Sequence, residues 1–331
     1  FENKFAEKFD RKYGVATTNC TSALHLSLVA LGIGPGDEVI CPNLTFIAPA
    51  NMIALTGSKP VLVDVEKDTW NLDPLLVEQA ITKKTKAIIV VHSFGHSARM
   101  DELLEIAEKN QITIIEDNAE SPGGTYKGKQ LGSMGKLSCF SFFANKIITT
   151  GEGGMILTDE EDLYHHLKEL RDHGMSRNRK YLHIALGFNY RMTNMQAAVG
   201  LAQLERFDEI LDLRKKQELL YEELLFSPEL SFRPKQDWAE TVHWMMTIKI
   251  NKDGIRDKLV EYLLKRGIDS RQMIFPISYA WHFQKENNGT TFPVSESISL
   301  NSLHLPSSTQ LSIKQIEDIS QAVLKGLKHC G

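Results

Sequence analysis

Lys146 is the only charged residue between Lys136 and Glu152, in the stretch FSFFANKIITTGEGG, Phe140 to Gly154. An amine held among apolar groups is poorly solvated as an ammonium. Its pKa falls, and it becomes a nucleophile able to form Schiff bases with carbonyl compounds. A snorkelling lysine whose tip reaches water is the plainer account. The glycines of GEGG let backbone approach a ligand closely, but they match neither the Walker spacing nor GxGxxG. Two further stretches carry related chemistry. TTNCTSA, residues 17–23, joins a strand pattern to a helical one. A helix start offers unpaired N–H groups, and Thr21 and Ser22 add hydroxyls, which makes either a phosphate cradle or a simple N-cap. Asp117 ends ITIIED, where Glu116, Asp117 and Glu120 crowd three acids at one strand terminus. That repulsion calls for a nearby cation, or else the carboxylates cap the next element.

An anion cradle, a carboxylate able to pair with a ring cation and a desolvated amine together specify a type of ligand. Pyridoxal 5'-phosphate has a phosphate, a pyridine nitrogen and an aldehyde, and needs those three partners. Other polar clusters are discounted. VHSFGH places His92 and His96 near a strand end, but no third ligand is obvious and no metal is expected. DHGMSRNRKYLH, Asp172 to His183, reads as a solvated loop that lines a nucleotide pocket at most.

The elements that must hold these residues follow from periodicity. YGVATT, DEVICPN, KPVLVDV, KAIIVVHS, ITIIEDN, LSCFSFF and GGMILTD read as strands. NCTSALHLSLVALGIG, FIAPANMIALTG, DPLLVEQAITK and MDELLEIAEKN carry helical spacing between them. Such β-α-β alternation predicts a mostly parallel sheet covered on both faces, which binds ligands beyond the carboxyl ends of its strands. Ala197 to Leu225 reads as one long amphipathic helical region connecting two domains. HWMMTIKI, DGIRDKLVEYLLKRG and SRQMIF then suggest a smaller α+β domain. The expected division is 1–205, 206–225 and 226–331. FENKFAEKF reads as mid-helix, so the chain is expected to start inside its first element.

The 331 residues carry a net charge of −4, which gives no support to a nucleic-acid or anionic-membrane partner. Cys20, Cys41, Cys139 and Cys330 form no CxxC pair, which argues against a zinc site or disulfide framework and suits a cytoplasmic protein. No apolar run reaches bilayer-spanning length.

At this point the residues match a known family. ALGIGPGDEVICPNLTFIAPAN, IIEDNAE, GTYKGKQLGSMGKLSCFSFFANKIITTGEGGMI and GFNYRMTNMQAAVGLAQLE resemble the DegT/DnrJ/EryC1/StrS aminotransferases. FFANKIITTGEGGM and TWNLDP look most like its GDP-perosamine synthase branch. The resemblance implies the fold type I aminotransferase architecture, with a seven-stranded large domain and a small C-terminal domain. It also implies pyridoxal phosphate chemistry on a nucleotide-linked keto-deoxy sugar, a 4-keto-6-deoxyhexose, with glutamate as amino donor. By the same resemblance Lys146 bonds the cofactor and shuttles the proton. Asp117 pairs with the ring nitrogen, and Glu120 lies near the ring. Thr21, Ser22 and Ser141 hold the phosphate, and Phe46 stacks on the ring. Asn189 reaches the cofactor of a neighbouring subunit in a homodimer, and Arg271 lies near the substrate. The sequence departs from the family at NCTSAL, where SGTAAL is usual, and at Asn118. Members that dehydrate their substrate carry histidine where the lysine belongs, so Lys146 argues against that branch.

Three other readings stand beside this one. They are amination of a cyclitol or a 3-keto sugar, a regulatory paralogue that only binds cofactor, and a dinucleotide-dependent oxidoreductase. The last lacks its GxGxxG after the first strand. The second has no need of both Lys146 and Asp117.

Overall fold

A computed structural model describes residues 1–285, 287 and 289–331. After helix α1 (Glu2–Lys8), strands and helices alternate: β1 (Tyr13–Thr17), α2 (Cys20–Ala30), β2 (Glu38–Pro42), α3 (Ala48–Leu55), β3 (Lys59–Val63), α4 (Pro74–Ala80), β4 (Thr85–Val91), α5 (Met100–Asn110) and β5 (Thr113–Asp117). Strands β6 (Leu137–Ser141) and β7 (Gly154–Thr158) follow, then α6 (Glu161–Arg171). The seven strands form one sheet in the order β1-β7-β6-β5-β4-β2-β3. All neighbours are parallel except at β7, which is antiparallel to both β1 and β6. The link from Phe142 to Gly153 turns back without a crossover helix, so β7 must reverse direction.

Side-chain parity divides the core. Val39, Cys41, Ile89, Val91, Ile115 and Cys139 face Leu24 and Leu28 of α2 and Leu163 and Leu167 of α6. Their neighbours Ile40, Ile88, Val90 and Ile114 face Met100 and Leu103 of α5. Both faces are therefore apolar, and the strands read as continuous apolar runs for that reason. A third cluster seats Phe5 of α1 and Phe9, just after it, against Phe140, Phe142 and Phe207. That cluster consumes two of the aromatics preceding Lys146.

The expected single helix from Ala197 to Leu225 is two helices, α7 (Asn194–Glu205) and α8 (Phe207–Leu224). They part at Arg206, whose φ/ψ of −102°/9° is not helical and whose guanidinium forks onto Glu209. The break lets Phe207 and Ile210 turn into the phenylalanine cluster, while α7 buries only Gly200. A second sheet, β8 (Leu230–Phe232), β9 (Met246–Ile250), β10 (Arg271–Gln272) and β11 (Ser302–Leu305), has the order β8-β9-β11-β10. Its core contains Leu259 and Leu263 of α9 (Arg256–Leu264) and Ile316, Ile319 and Val323 of α10 (Ile313–Cys330). Among the described residues, no helix is long and apolar enough to cross a membrane.

A buried ion pair ties α8 to the loop after β4. Arg233 Nη2 donates to Glu218 Oε1 at 2.9 Å, and Arg233 Nη1 donates to the carbonyls of Phe94 and Val242. Burial opposes the Glu218 charge, but Arg233 and His243 outweigh it and hold the carboxyl down at about 2, against an ordinary 4.5. A depressed acid contributes stability above its unfolded pKa and loses it as pH falls through the folded one. The contribution is about 3 kcal/mol, lost between roughly pH 4.5 and 2. Unfolding free energies of wild type and Glu218→Gln, measured across that window, should converge as the pH falls. A constant gap would refute the assignment.

Candidate active site

The carboxyl ends of β1, β6, β5 and β4 lie along one edge of the sheet and place the candidate residues there. Register aligns Thr17 of β1 with Gly154 of β7, and Gly154 with Ser141 of β6. Asn19 rides over that point. A Cβ at Gly154 would stand 2.5 Å from the Asn19 carbonyl carbon and oxygen, so this position of GEGG admits no side chain. Asn19, rather than Thr21, caps α2, accepting the Ser22 N–H at 2.8 Å. The N–H groups of Cys20 and Thr21 are left for a ligand at the positive end of a largely buried helix. Ser22 is buried and its hydroxyl accepts from Thr18 Oγ1 at 3.0 Å. Ser141 is buried as well, its hydroxyl accepting the Phe143 N–H at 3.4 Å.

The three acids at the end of β5 do not share one environment. Glu116 has the parity of Ile114 and points away from α2. Its carboxylate accepts N–H bonds from Gly132 and Met134, both at 2.8 Å, and from Gly135, while His92 Nε2 stands 3.1 Å away. Burial pushes Glu116 up, but His92 and these N–H groups hold it below the ordinary carboxylate value. His92 Nδ1 accepts from Ala98 N–H, so the proton sits on Nε2 and faces Glu116. His96 Nδ1 lies 2.7 Å from the Ser97 carbonyl, so both histidines serve the scaffold.

Asp117 has the parity of Ile115 and faces α2. Its Oδ1 accepts the Ala119 N–H at 3.0 Å and the Cys20 thiol at 3.9 Å. Burial raises its pKa, opposed by the Ala119 N–H and by Lys146. Glu120 is buried, accepts the Phe94 N–H at 2.6 Å, and is likewise raised by burial and drawn down by Lys146. Lys146 is the reciprocal case. Burial lowers its pKa, and Glu120, Asp117 and Cys20 pull it back up through space. Its residue surface is only half-buried, so the amine is desolvated by its neighbours yet reachable from the open edge.

Lys146 also lines a cleft of about 930 Å³ with Trp244, Arg214, Arg271, His304 and Ser307. Asp117 and Ser22 are not among its walls, so this cleft adjoins the carboxylates rather than containing them. Arg271, exposed on β10, pairs with His304 on β11. Burial, then the Arg271 charge, lowers His304 to about 4. The structure does not bring Phe46 into that cleft. It is 60% exposed and opens onto an apolar cleft of about 670 Å³ with Phe275 and Tyr279. Asn189 is exposed, its Oδ1 accepting from Arg191 Nε at 3.2 Å. Its segment runs along the end of β1, where Thr18 N–H donates to the Tyr190 carbonyl at 2.9 Å.

These residues fit pyridoxal phosphate. Asp117 keeps one oxygen without a protein donor among the described residues, Lys146 offers a desolvated amine, and α2 presents free N–H groups. One neighbour went unread in the sequence. Lys146 Nζ stands 3.7 Å from the centroid of the Trp244 indole, whose Nε1 donates to the Asn145 carbonyl at 2.9 Å.

The model of the DegT/DnrJ/EryC1/StrS aminotransferase family matches residues 1–324. The chain is 43% identical to a GDP-perosamine synthase of Caulobacter vibrioides, over 98% of this chain and 88% of that protein. Among solved structures, DesV of S. venezuelae in complex with a ketimine intermediate superposes with a TM-score of 0.93 at 34% identity, covering 99% of this chain and 88% of that one. The Streptococcus pneumoniae protein Spr1654 in its PLP form gives 0.95 at 28% identity, covering 100% and 91%.

Proposed function

Because the chain belongs to the DegT/DnrJ/EryC1/StrS aminotransferase family and is a sugar aminotransferase that uses pyridoxal 5'-phosphate, we propose that it aminates a GDP-linked 4-keto-6-deoxyhexose with glutamate as donor, for surface polysaccharide synthesis. The feature that supports the catalytic assignment is the Lys146 amine, whose charge burial disfavours and which Glu120 and Asp117 draw on through space at the carboxyl edge of the sheet. The choice of sugar nucleotide rests on the likeness to GDP-perosamine synthases.

When bound, the cofactor supplies an aldehyde that exchanges amines and a ring that withdraws electrons. Asp117 holds the ring nitrogen in its protonated state, and Glu120 adds a second acid beside the ring. The start of α2 with Thr21 and Ser22, together with Ser141, binds the phosphate. Lys146 Nζ would take the proton from the donor's α-carbon and deliver it to the carbon that was the cofactor's aldehyde, and the reverse transfer would serve the keto sugar; one site serving both half-reactions gives ping-pong kinetics. Phe46 covers the ring face, and Arg271 contacts substrate from the small domain.

The working unit proposed is a cytoplasmic homodimer, each chain divided at 1–205, 206–225 and 226–331. Its support is a strip of exposed apolar side chains, among them Tyr181 at 85%, Leu186 at 88% and Met195 at 80% exposure. These flank Asn189, which reaches the partner's phosphate. The test is spectroscopic. Protein loaded with pyridoxal phosphate should change its visible spectrum on titration with glutamate, and a GDP-linked 4-keto-6-deoxyhexose should reverse that change. No response to glutamate removes it as donor. A response that the keto sugar fails to reverse removes the substrate.

A further inference from the structure

We propose that Trp244 is a positioning residue for Lys146, its indole face setting where the amine rests and steadying the amine while it carries a proton. The inference rests on the reading of Lys146 as the reacting amine. Nζ lies 3.7 Å from the ring centroid, well within the range of a cation–π contact, and the contact is desolvated because Trp244 is buried. The same indole donates Nε1–H to the carbonyl of Asn145, the residue immediately before the lysine. Trp244 thus grips both the tip of the side chain and the backbone at its root.

The grip is itself held. The Trp244 carbonyl accepts from Arg214 Nη1 of α8 at 2.7 Å, and its N–H donates to the Val242 carbonyl at 3.0 Å. Phe5, Phe140 and Phe142 belong to the apolar cluster in which the residue sits. The ionisable groups acting on the amine are Glu120 in the loop after β5, Asp117 at its end and Cys20 at the start of α2. Arg214 and His243 lie at the backbone of Trp244. A group that takes up and returns a proton near neutral pH needs both of its forms within reach. Burial alone drives Lys146 towards the neutral amine. The carboxylates oppose that drive, and the indole face adds to their pull on the ammonium.

Competitive acetic anhydride labelling of the protein freed of cofactor, over a pH series and followed by peptide mapping, reads the midpoint at which Lys146 becomes nucleophilic. Exposed Lys84 serves as the internal standard. Trp244→Leu should lower the Lys146 midpoint by roughly one pH unit, about tenfold in the ammonium-to-amine ratio, and leave Lys84 unmoved. Trp244→Phe keeps an aromatic face but loses the Nε1–H bond, and should lower it less. Equal midpoints in wild type and variants, or a rise, overturn the proposal. If the Leu variant does not fold, the Phe variant decides by the same criterion. Labelling involves neither cofactor nor sugar, so it can fail while the transaminase reading stands, and the spectroscopic titration can fail while Trp244 keeps its effect.

Discussion

Lys146→Ala abolishes turnover, by roughly 10³-fold or more, because it removes the nucleophile and the proton carrier together. The fold should survive. Among the described residues the replaced amine forms no salt bridge, and burial already disfavours its charge. Lys146→Arg sharpens the test, since it keeps a cation beside Asp117 and Glu120 but cannot form an imine. If the lysine acts only by its charge, the Arg variant retains much of the rate; if it acts as a nucleophile, Arg and Ala are equally inactive. Borohydride treatment of the loaded wild type should fix the cofactor on the peptide carrying residue 146, and on no peptide of either variant. Near-normal turnover in Lys146→Ala would end the assignment.

Much of this arrangement was legible in the sequence because it depends on neighbours along the chain. Strand periodicity located the seven strands, and the rule that ligands sit at strand carboxyl ends selected the start of α2, Asp117 and Lys146, while Ser141 came only from the family resemblance. Parity could also have been applied to β5. Glu116 and Asp117 are adjacent, so their side chains must point to opposite faces, and only one of them can join Lys146. What parity cannot supply is the partner that neutralises Glu116. That partner is the Gly132–Gly135 backbone, which reaches it only once the sheet has formed. Trp244 was hidden for the same reason, lying far along the chain from Asn145 and meeting it only through tertiary packing. The break at Arg206 had no local signal, since no glycine or proline interrupts the pattern there and the cause is the phenylalanine cluster. Helix α10 is different. Ser312 and Gln315 form a capping box at its start, an S-x-x-Q signal that a reading for helix starts could have found.

The second large effect is expected at Asp117, and its size separates charge from shape. Asp117→Ala should still bind the cofactor, through Lys146 and the phosphate cradle, yet turn over roughly 10²- to 10³-fold more slowly, because nothing then keeps the ring nitrogen protonated. The change also removes the acceptor for the Ala119 N–H and the Cys20 thiol, at about 1–3 kcal/mol if that N–H stays buried and unpaired. Asp117→Asn keeps an acceptor in the same place without the charge. It should recover most of the stability lost in the Ala variant and little of the rate. Burial raises the Asp117 pKa, as it does that of Glu120, so protonation of the Asp117 carboxylate should cost rate on the acid side. The Asn variant, with no carboxylate to protonate, should lose that acid limb of the profile. A rate in Asp117→Asn close to wild type would show that the ring does not depend on the Asp117 carboxylate, and the role of holding its nitrogen protonated would have to be sought at Glu120 instead.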